Sequence, residues 1–168
     1  MHPLMNTRRL VRCAPGRGFT LVEMVVVITI IGILAAVAIP RYVDLQRSAR
    51  VAKAQAVEGS IKAAAMLAHV RCIVDIGTGV AGQCTPAGGQ VLMEGVNIPM
   101  VNGYPAASAA GIDTAAQVSA ADGMVIAGTG PRTYQMVGAT TPANCQVSYT
   151  EATAAGLAAV TAVDVSGC

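Results

Sequence analysis

Glu23 is the one charged residue in an otherwise apolar run from Phe19 to Ile39, FTLVEMVVVITIIGILAAVAI. An unpaired carboxylate costs roughly 2–3 kcal/mol near a membrane centre and less near its edge. Its presence therefore asks for a partner charge that relieves the desolvation. The cysteines are the next reactive set. Cys13 lies in a basic N-terminal stretch, whereas Cys72, Cys84, Cys145 and Cys168 lie beyond the apolar run. An even count in an exported, weakly cored domain reads as two disulfides. Of the three possible connectivities, Cys72–Cys84 with Cys145–Cys168 is favoured, because each pair is local and brackets a plausible loop.

Catalytic chemistry finds few candidates. After Gly18 the only histidine is His69, set between apolar residues of a helical stretch, where packing or surface exposure is expected rather than a base. Neither H-E-x-x-H nor G-x-S-x-G occurs. Asp113, Asp122 and Asp164 are scattered, without calcium-loop spacing. Gly77-Thr78-Gly79-Val80-Ala81-Gly82 matches G-x-G-x-x-G. A dinucleotide fingerprint, however, needs a helix next and an acid about 20 residues on. QCTPAGGQ follows instead, and Asn102 is not acidic, so a loop clamped by Cys72 and Cys84 is the better reading. Tyr104, Tyr134 and Tyr149 read as core or interface packing, with a surface adhesion contact as the alternative. No enzyme activity, metal or cofactor is expected.

These residues must be positioned by a chain of unusual make-up. Charged residues are only 12% of it and aromatics 3%, against roughly a quarter charged in typical globular chains. A core of Ala and Val buries little area per residue, so staples or neighbours are needed. Arg8, Arg9, Arg12 and Arg17 crowd the first 18 positions, leaving seven basic against nine acidic side chains beyond them. That near-neutral remainder carries no nucleic-acid footprint.

At 1.5 Å per residue the run from Phe19 to Ile39 spans about 31 Å as a helix, enough to cross a bilayer core. The preceding arginines place its N-terminal end in the cytoplasm. An ordinary signal peptide, cut at Ala36-Val37-Ala38, is the competing reading. Glu23 argues against it. So does the helix-compatible continuation RYVDLQRSARVAKAQAVEGSIKAAAMLAHV. Gly32 and Pro40 interrupt the helix, and a kink is expected near 36–40. Beyond Pro40, Val57, Ile61, Ala64, Ala65, Ala68 and Cys72 recur at 3–4 spacing and face the domain. Arg47, Arg50 and Lys53 cluster on another face, either solvated or meeting acids of an adjacent subunit.

From Gly77 the pattern changes to short apolar runs between Gly-rich turns. Strands are predicted over Gln90–Glu94, Met124–Ala127, Thr133–Val137, Gln146–Thr150 and Ala158–Val165, with a short helix in Ala106–Ala121. The fold class is α+β: a long N-terminal helix packed on a small antiparallel sheet. Bridging Cys145 to Cys168 ties down the last strand, about 3 kcal/mol in the loop-entropy picture.

Arg17-Gly18-Phe19-Thr20-Leu21-Val22-Glu23 resembles the processing site of type IV prepilins and pseudopilins. The resemblance implies cleavage between Gly18 and Phe19 by a prepilin peptidase, N-methylation of Phe19, and pairing of Glu23 with the amino terminus of a neighbouring subunit. It also implies a pilin fold whose stretch from Gly32 to Pro40 loosens on assembly. Asn102-Gly103-Tyr104-Pro105-Ala106 with Gly111-Ile112, and Cys145-Gln146-Val147-Ser148-Tyr149-Thr150-Glu151-Ala152, resemble the globular region of mannose-sensitive haemagglutinin type pilins, subunits of adhesive surface filaments. The implied organisation is a leader (1–18), an assembly helix (19–39), an amphipathic half (40–76) and a disulfide-stabilised β-rich domain (77–168). The implied function is a structural subunit of a type IV pilus. It is a helical homo-oligomer that is held in the inner membrane as a precursor and then exposed outside by an assembly machinery. A pseudopilin of type II secretion, in a periplasmic pseudopilus, is the alternative, and a soluble secreted binding protein comes third.

Overall fold

The computed structural model describes residues 18–79, 83–154 and 159–168. Residues 1–17 of the expected leader, with Cys13, and the second half of the G-x-G-x-x-G stretch lie outside the described residues. The part up to Arg41 and the part from Tyr42 onward are separate compact units. The first is helical from Leu21 onward, and its large apolar side chains are exposed.

Helix α1 spans Leu21–Thr78 with Pro40 inside it. In the second unit it buries Ala54, Val57, Ile61, Ala64, Ala65, Ala68 and Cys72. That 3–4 spacing is one face of an α-helix. The alanines let the strands come close, and the large side chains come from the strands: Val91, Ile98, Met136, Val147, Tyr134 and Tyr149 are almost fully buried.

The β-part forms two antiparallel sheets rather than one. β1 (Gln90–Met93), β2 (Val96–Val101) and β3 (Tyr104–Pro105) make a three-stranded sheet in that order. β4 (Met124–Ala127), β5 (Arg132–Met136), β6 (Gln146–Thr150) and β7 (Val160–Asp164) make a four-stranded one, also in sequence order. The predicted strands recur within a residue or two, whereas β2 and β3 were not predicted. Pro99 reads as a strand breaker, yet here Ala106 N–H donates to the Pro99 carbonyl (2.9 Å), so the ladder asks no donor of the proline. The β1–β2 turn is Glu94-Gly95, both at positive φ (50° and 82°), the pair a two-residue hairpin loop requires.

Ala106–Ala121 does not make one helix. It breaks into a π turn (Ala109–Asp113), one turn of α-helix, α2 (Thr114–Ala116), and a 3-10 turn starting at Ala120. Gly111 sits at φ −86°, ψ −105° inside it. A Cβ there would lie 2.1 Å from the Ala106 carbonyl oxygen, so a regular helix gives way to a close backbone contact.

Cross-links fasten the sheets. Disulfides join Cys72 to Cys84 and Cys145 to Cys168. Tyr149 Oη donates to the Pro105 carbonyl (2.7 Å), and Ala107 N–H to Glu151 Oε2 (2.6 Å), bridging the two sheets. Arg50 Nε donates to the main-chain oxygen of Cys168 (2.9 Å), and Lys53 Nζ to the carbonyls of Asp122 and Gly123. Neither basic residue is merely solvated or waiting for an acid: both hold α1 to the ends of the four-stranded sheet.

Candidate functional site

The start of α1 is built by its own side chains. Thr20 and Glu23 stand three apart, and each closes the other's unpaired backbone donor. Thr20 N–H and Oγ1–H donate to Glu23 Oε2 at 2.8 and 2.9 Å, and Glu23 N–H donates to Thr20 Oγ1 at 3.3 Å. This is a capping box, and T-x-x-E is its sequence signature, present at positions 20 to 23 and missed by the sequence reading. The carboxylate sits at the helix N-terminus, where the helix dipole favours negative charge. Oε1 accepts no hydrogen bond among the described residues. Gly18 and Phe19 precede the helix and are exposed, Phe19 by 78%. Phe19, Val22, Glu23 and Val26 border a shallow, largely apolar cleft of about 380 Å³. Gly32 and Pro40 both lie within the span of α1.

In the second unit, α1 carries a second apolar face that sequence reasoning also missed. Opposite the buried set, Leu45, Ala49, Ala52, Ala56, Gly59, Ala63, Met66, Val70 and Ile73 are all exposed. Their 3–4 spacing holds without a charge throughout. In the sequence the same spacing runs back through Tyr42, Ala38, Ala35, Ile31, Ile28 and Met24 to Leu21. A helix apolar on two faces is one that expects a neighbour on each.

Several polar groups of the second unit are engaged with one another. Asp113, on the π turn, is buried between Arg132 and Tyr134 of β5. It accepts from Arg132 Nη2 (2.5 Å), from Arg132 Nε and from Tyr134 Oη (2.6 Å). Donating to the Asp113 carboxylate raises the pKa of the arginine, and burial pushes the Tyr134 and Tyr149 hydroxyls well above the usual phenol range. Asp164 is held low by the N–H and hydroxyl of Ser166. An open groove of about 970 Å³ runs past Ser60, Ala63, Leu67, Met93 and Val96 to Asp113 and Arg132. Its buried charges are already satisfied. His69 donates from Nδ1 to the Gly103 carbonyl (2.7 Å) and stacks on Tyr104, ring centroids 4.1 Å apart. Among the described residues no three His, Cys, Asp or Glu side chains gather at a point that suits a metal ion. Gly77 and Thr78 end α1 rather than open a helix, which is the reverse of a nucleotide-binding turn.

Residues 16–39 match the model of the prokaryotic N-terminal methylation motif. The type IV narrow pilus major component PilA5 of Thermus thermophilus is 46% identical over 56 residues, 33% of this chain and 48% of that protein. Over part of its length the chain is similar to type IV pilins. A fimbrial protein of Pseudomonas aeruginosa is 47% identical over 49 residues, 29% of this chain and 32% of that one. The type IV major pilin protein PilE1 of Neisseria gonorrhoeae is 55% identical over 38 residues, 23% of each chain. The chain spans about half the length, or less, of these curated relatives. No solved structure matches. The methylation motif covers the start of α1.

Proposed function

We propose that this chain is a structural subunit of a type IV pilus, polymerising through α1 into a surface filament for adhesion or motility. The observation that carries the reading is the uncharged, exposed 3–4 stripe of α1 beyond the membrane-length run, which a soluble domain with a discarded signal sequence has no use for. Covering it with α1 of neighbouring copies removes it from water at about 25 cal/mol per Å². Its small residues, centred on Ala56 and Gly59, permit close helix approach.

In this reading a prepilin peptidase cuts between Gly18 and Phe19, and Phe19 is then N-methylated. The precursor waits in the inner membrane, and the pilus machinery moves it outward. Glu23 sets the register. One oxygen stays in the capping box, while the other accepts the Phe19 ammonium of the next copy, so the carboxylate is never unpaired in an apolar setting. Loosening between Gly32 and Pro40 on assembly breaks one hydrogen bond fewer, since Pro40 has no N–H to lose.

The test compares Glu23→Ala and Ala56→Arg with the parent chain, by N-terminal sequencing of the mature protein and electron microscopy of sheared surface material. Methylated Phe19 at the terminus is expected in the parent, with export and folding intact in both variants and filaments lost from both. Glu23→Ala also removes the capping box at the helix start. A mature chain beginning at Ile39, or normal filaments from both variants, overturns the reading.

A further inference from the structure

Among the described residues from Tyr42 onward, every arginine and lysine except Arg47 is committed within the chain. Arg50 and Lys53 hold main-chain oxygens. Lys62 pairs with Glu58, Arg71 with Asp75 and Arg132 with Asp113. Arg47 belongs to the foot of the second unit, residues 42–49, where every residue of α1 is exposed. Val43 and Arg47 continue the domain-facing 3–4 spacing back from Ala54, yet Val43 is 55% exposed. Leu45 and Ala49 stand on the opposite face of the helix, and both are exposed. Asp44 lies to one side, about 60° round the helix from Arg47. The foot is thus apolar on two opposite sides and carries one free cation. A helix of that kind is completed by being enclosed.

The open groove of the same unit has two walls. Ser60, Ala63 and Leu67 of α1 form one, and Met93 and Val96 of the β1–β2 hairpin form the other. Glu94 stands on its rim at the hairpin tip. This exposed carboxylate accepts from the Gln117 amide and meets no cation among the described residues. Asp113 and Arg132, at the end of the groove, cancel each other. The groove is therefore apolar between its walls, with one negative charge on the rim. Eight helical residues make a rod about 12 Å long and 10 Å across, a volume of the same order as the groove's 970 Å³. We propose that the foot of α1 in a second copy lies in this groove, with Leu45 and Ala49 against α1, Val43 against Val96 and Arg47 on Glu94. The inference rests on the reading above that the chain polymerises, and it names the surfaces that meet. An arginine on a carboxylate at the edge of an apolar contact fixes register. Foot and groove are different surfaces of one chain, so the contact is head-to-tail and repeats without closing, as an open helical filament requires. With the helices parallel, the second copy is displaced along the axis by about 20–30 Å, the rise from residue 47 to residues 60–67.

The test places cysteines at Val43 and Val96 of the full chain, both exposed, and oxidises the isolated filaments. Val43→Cys/Val96→Cys is expected to give a ladder of cross-linked multimers on non-reducing gels, and neither single variant a ladder. Dimers alone would mean a symmetric contact between like surfaces and overturn the proposal. Filaments that form without any cross-link overturn it too, while leaving the pilus reading standing. Charge exchange gives an independent readout should the cysteines impede assembly. Arg47→Glu and Glu94→Arg are each expected to lower the yield of sheared filament about tenfold, and the combination to restore it to within about twofold. Both side chains are exposed, so the variants fold. A combination as poor as the single changes overturns the proposal. Absence of filaments from the parent chain removes the pilus reading itself, and the groove's occupant with it.

Discussion

Asp113→Asn is expected to be the most damaging change of a single charge in the β-part. The carboxylate side chain is 9% exposed and that of Arg132 14%, so solvent screens the pair little. Asp113 accepts three hydrogen bonds from the guanidinium and one from Tyr134. An asparagine amide offers one acceptor oxygen and turns two N–H donors towards a cation. Breaking one side of a buried pair costs about 3–5 kcal/mol, because the remaining charge stays buried. Against a total stability of about 5–15 kcal/mol, that lowers the unfolding midpoint by roughly 10–20 °C for a domain of this size. The assay is thermal unfolding of the oxidised chain followed by far-UV circular dichroism. Tyr134→Phe is the comparison, since it leaves the ion pair and loses one hydrogen bond to a charged group, about 1.5–3 kcal/mol. Replacing both partners, Asp113→Leu with Arg132→Met, is expected to recover most of the loss. A midpoint for Asp113→Asn at or above that of Tyr134→Phe refutes the reasoning.

Three further outcomes are expected. Burial raises the hydroxyl pKa of Tyr134 and Tyr149 above that of the unfolded chain. Their stabilisation is therefore full below about pH 10 and is lost as pH rises beyond it, by about 1.4 kcal/mol per pH unit for each. Tyr149→Phe should halve that alkaline slope in urea titrations. Gly111→Ala drives a Cβ into the Ala106 carbonyl, which also accepts from Ser108 and Ile112 N–H. A loss of roughly 2–4 kcal/mol is expected in chemical unfolding. Arg50→Met removes the hydrogen bond to Cys168, about 1 kcal/mol, and hydrogen exchange should quicken at Gly167 and Cys168 with little change in β5.

Much of this was legible in the residues. Strands β1 and β4–β7 are short β-branched or aromatic runs between glycines, and alternation such as Val147 in, Ser148 out, Tyr149 in is a local signal. β2 was hidden by Pro99, which looks prohibitive until the register places Ala106 against its carbonyl. Likewise, the split of Ala106–Ala121 into separate turns depends on a contact between Gly111 and Ala106 that no periodicity shows. The tasks of Arg50 and Lys53 were equally hidden, because their acceptors are main-chain oxygens far along the chain. At the helix start the reverse holds. T-x-x-E is written in four consecutive residues, and so is the free stripe, once every third and fourth residue is followed past the domain-facing set.

Cys72–Cys84 closes one end of the segment of α1 that carries the sheets, and Arg50 with Lys53 closes the other. Traction applied along the helix would reach the sheets first at the polar end. There it would strip contacts of a few kcal/mol, then meet the covalent rivet of Cys72–Cys84.

 Measured from Arg50 itself, the rivet stands about six turns further along the helix. Under such a load the part from Tyr42 onward would yield first beside Arg50, stay tethered at Cys72, and reseat when the load falls.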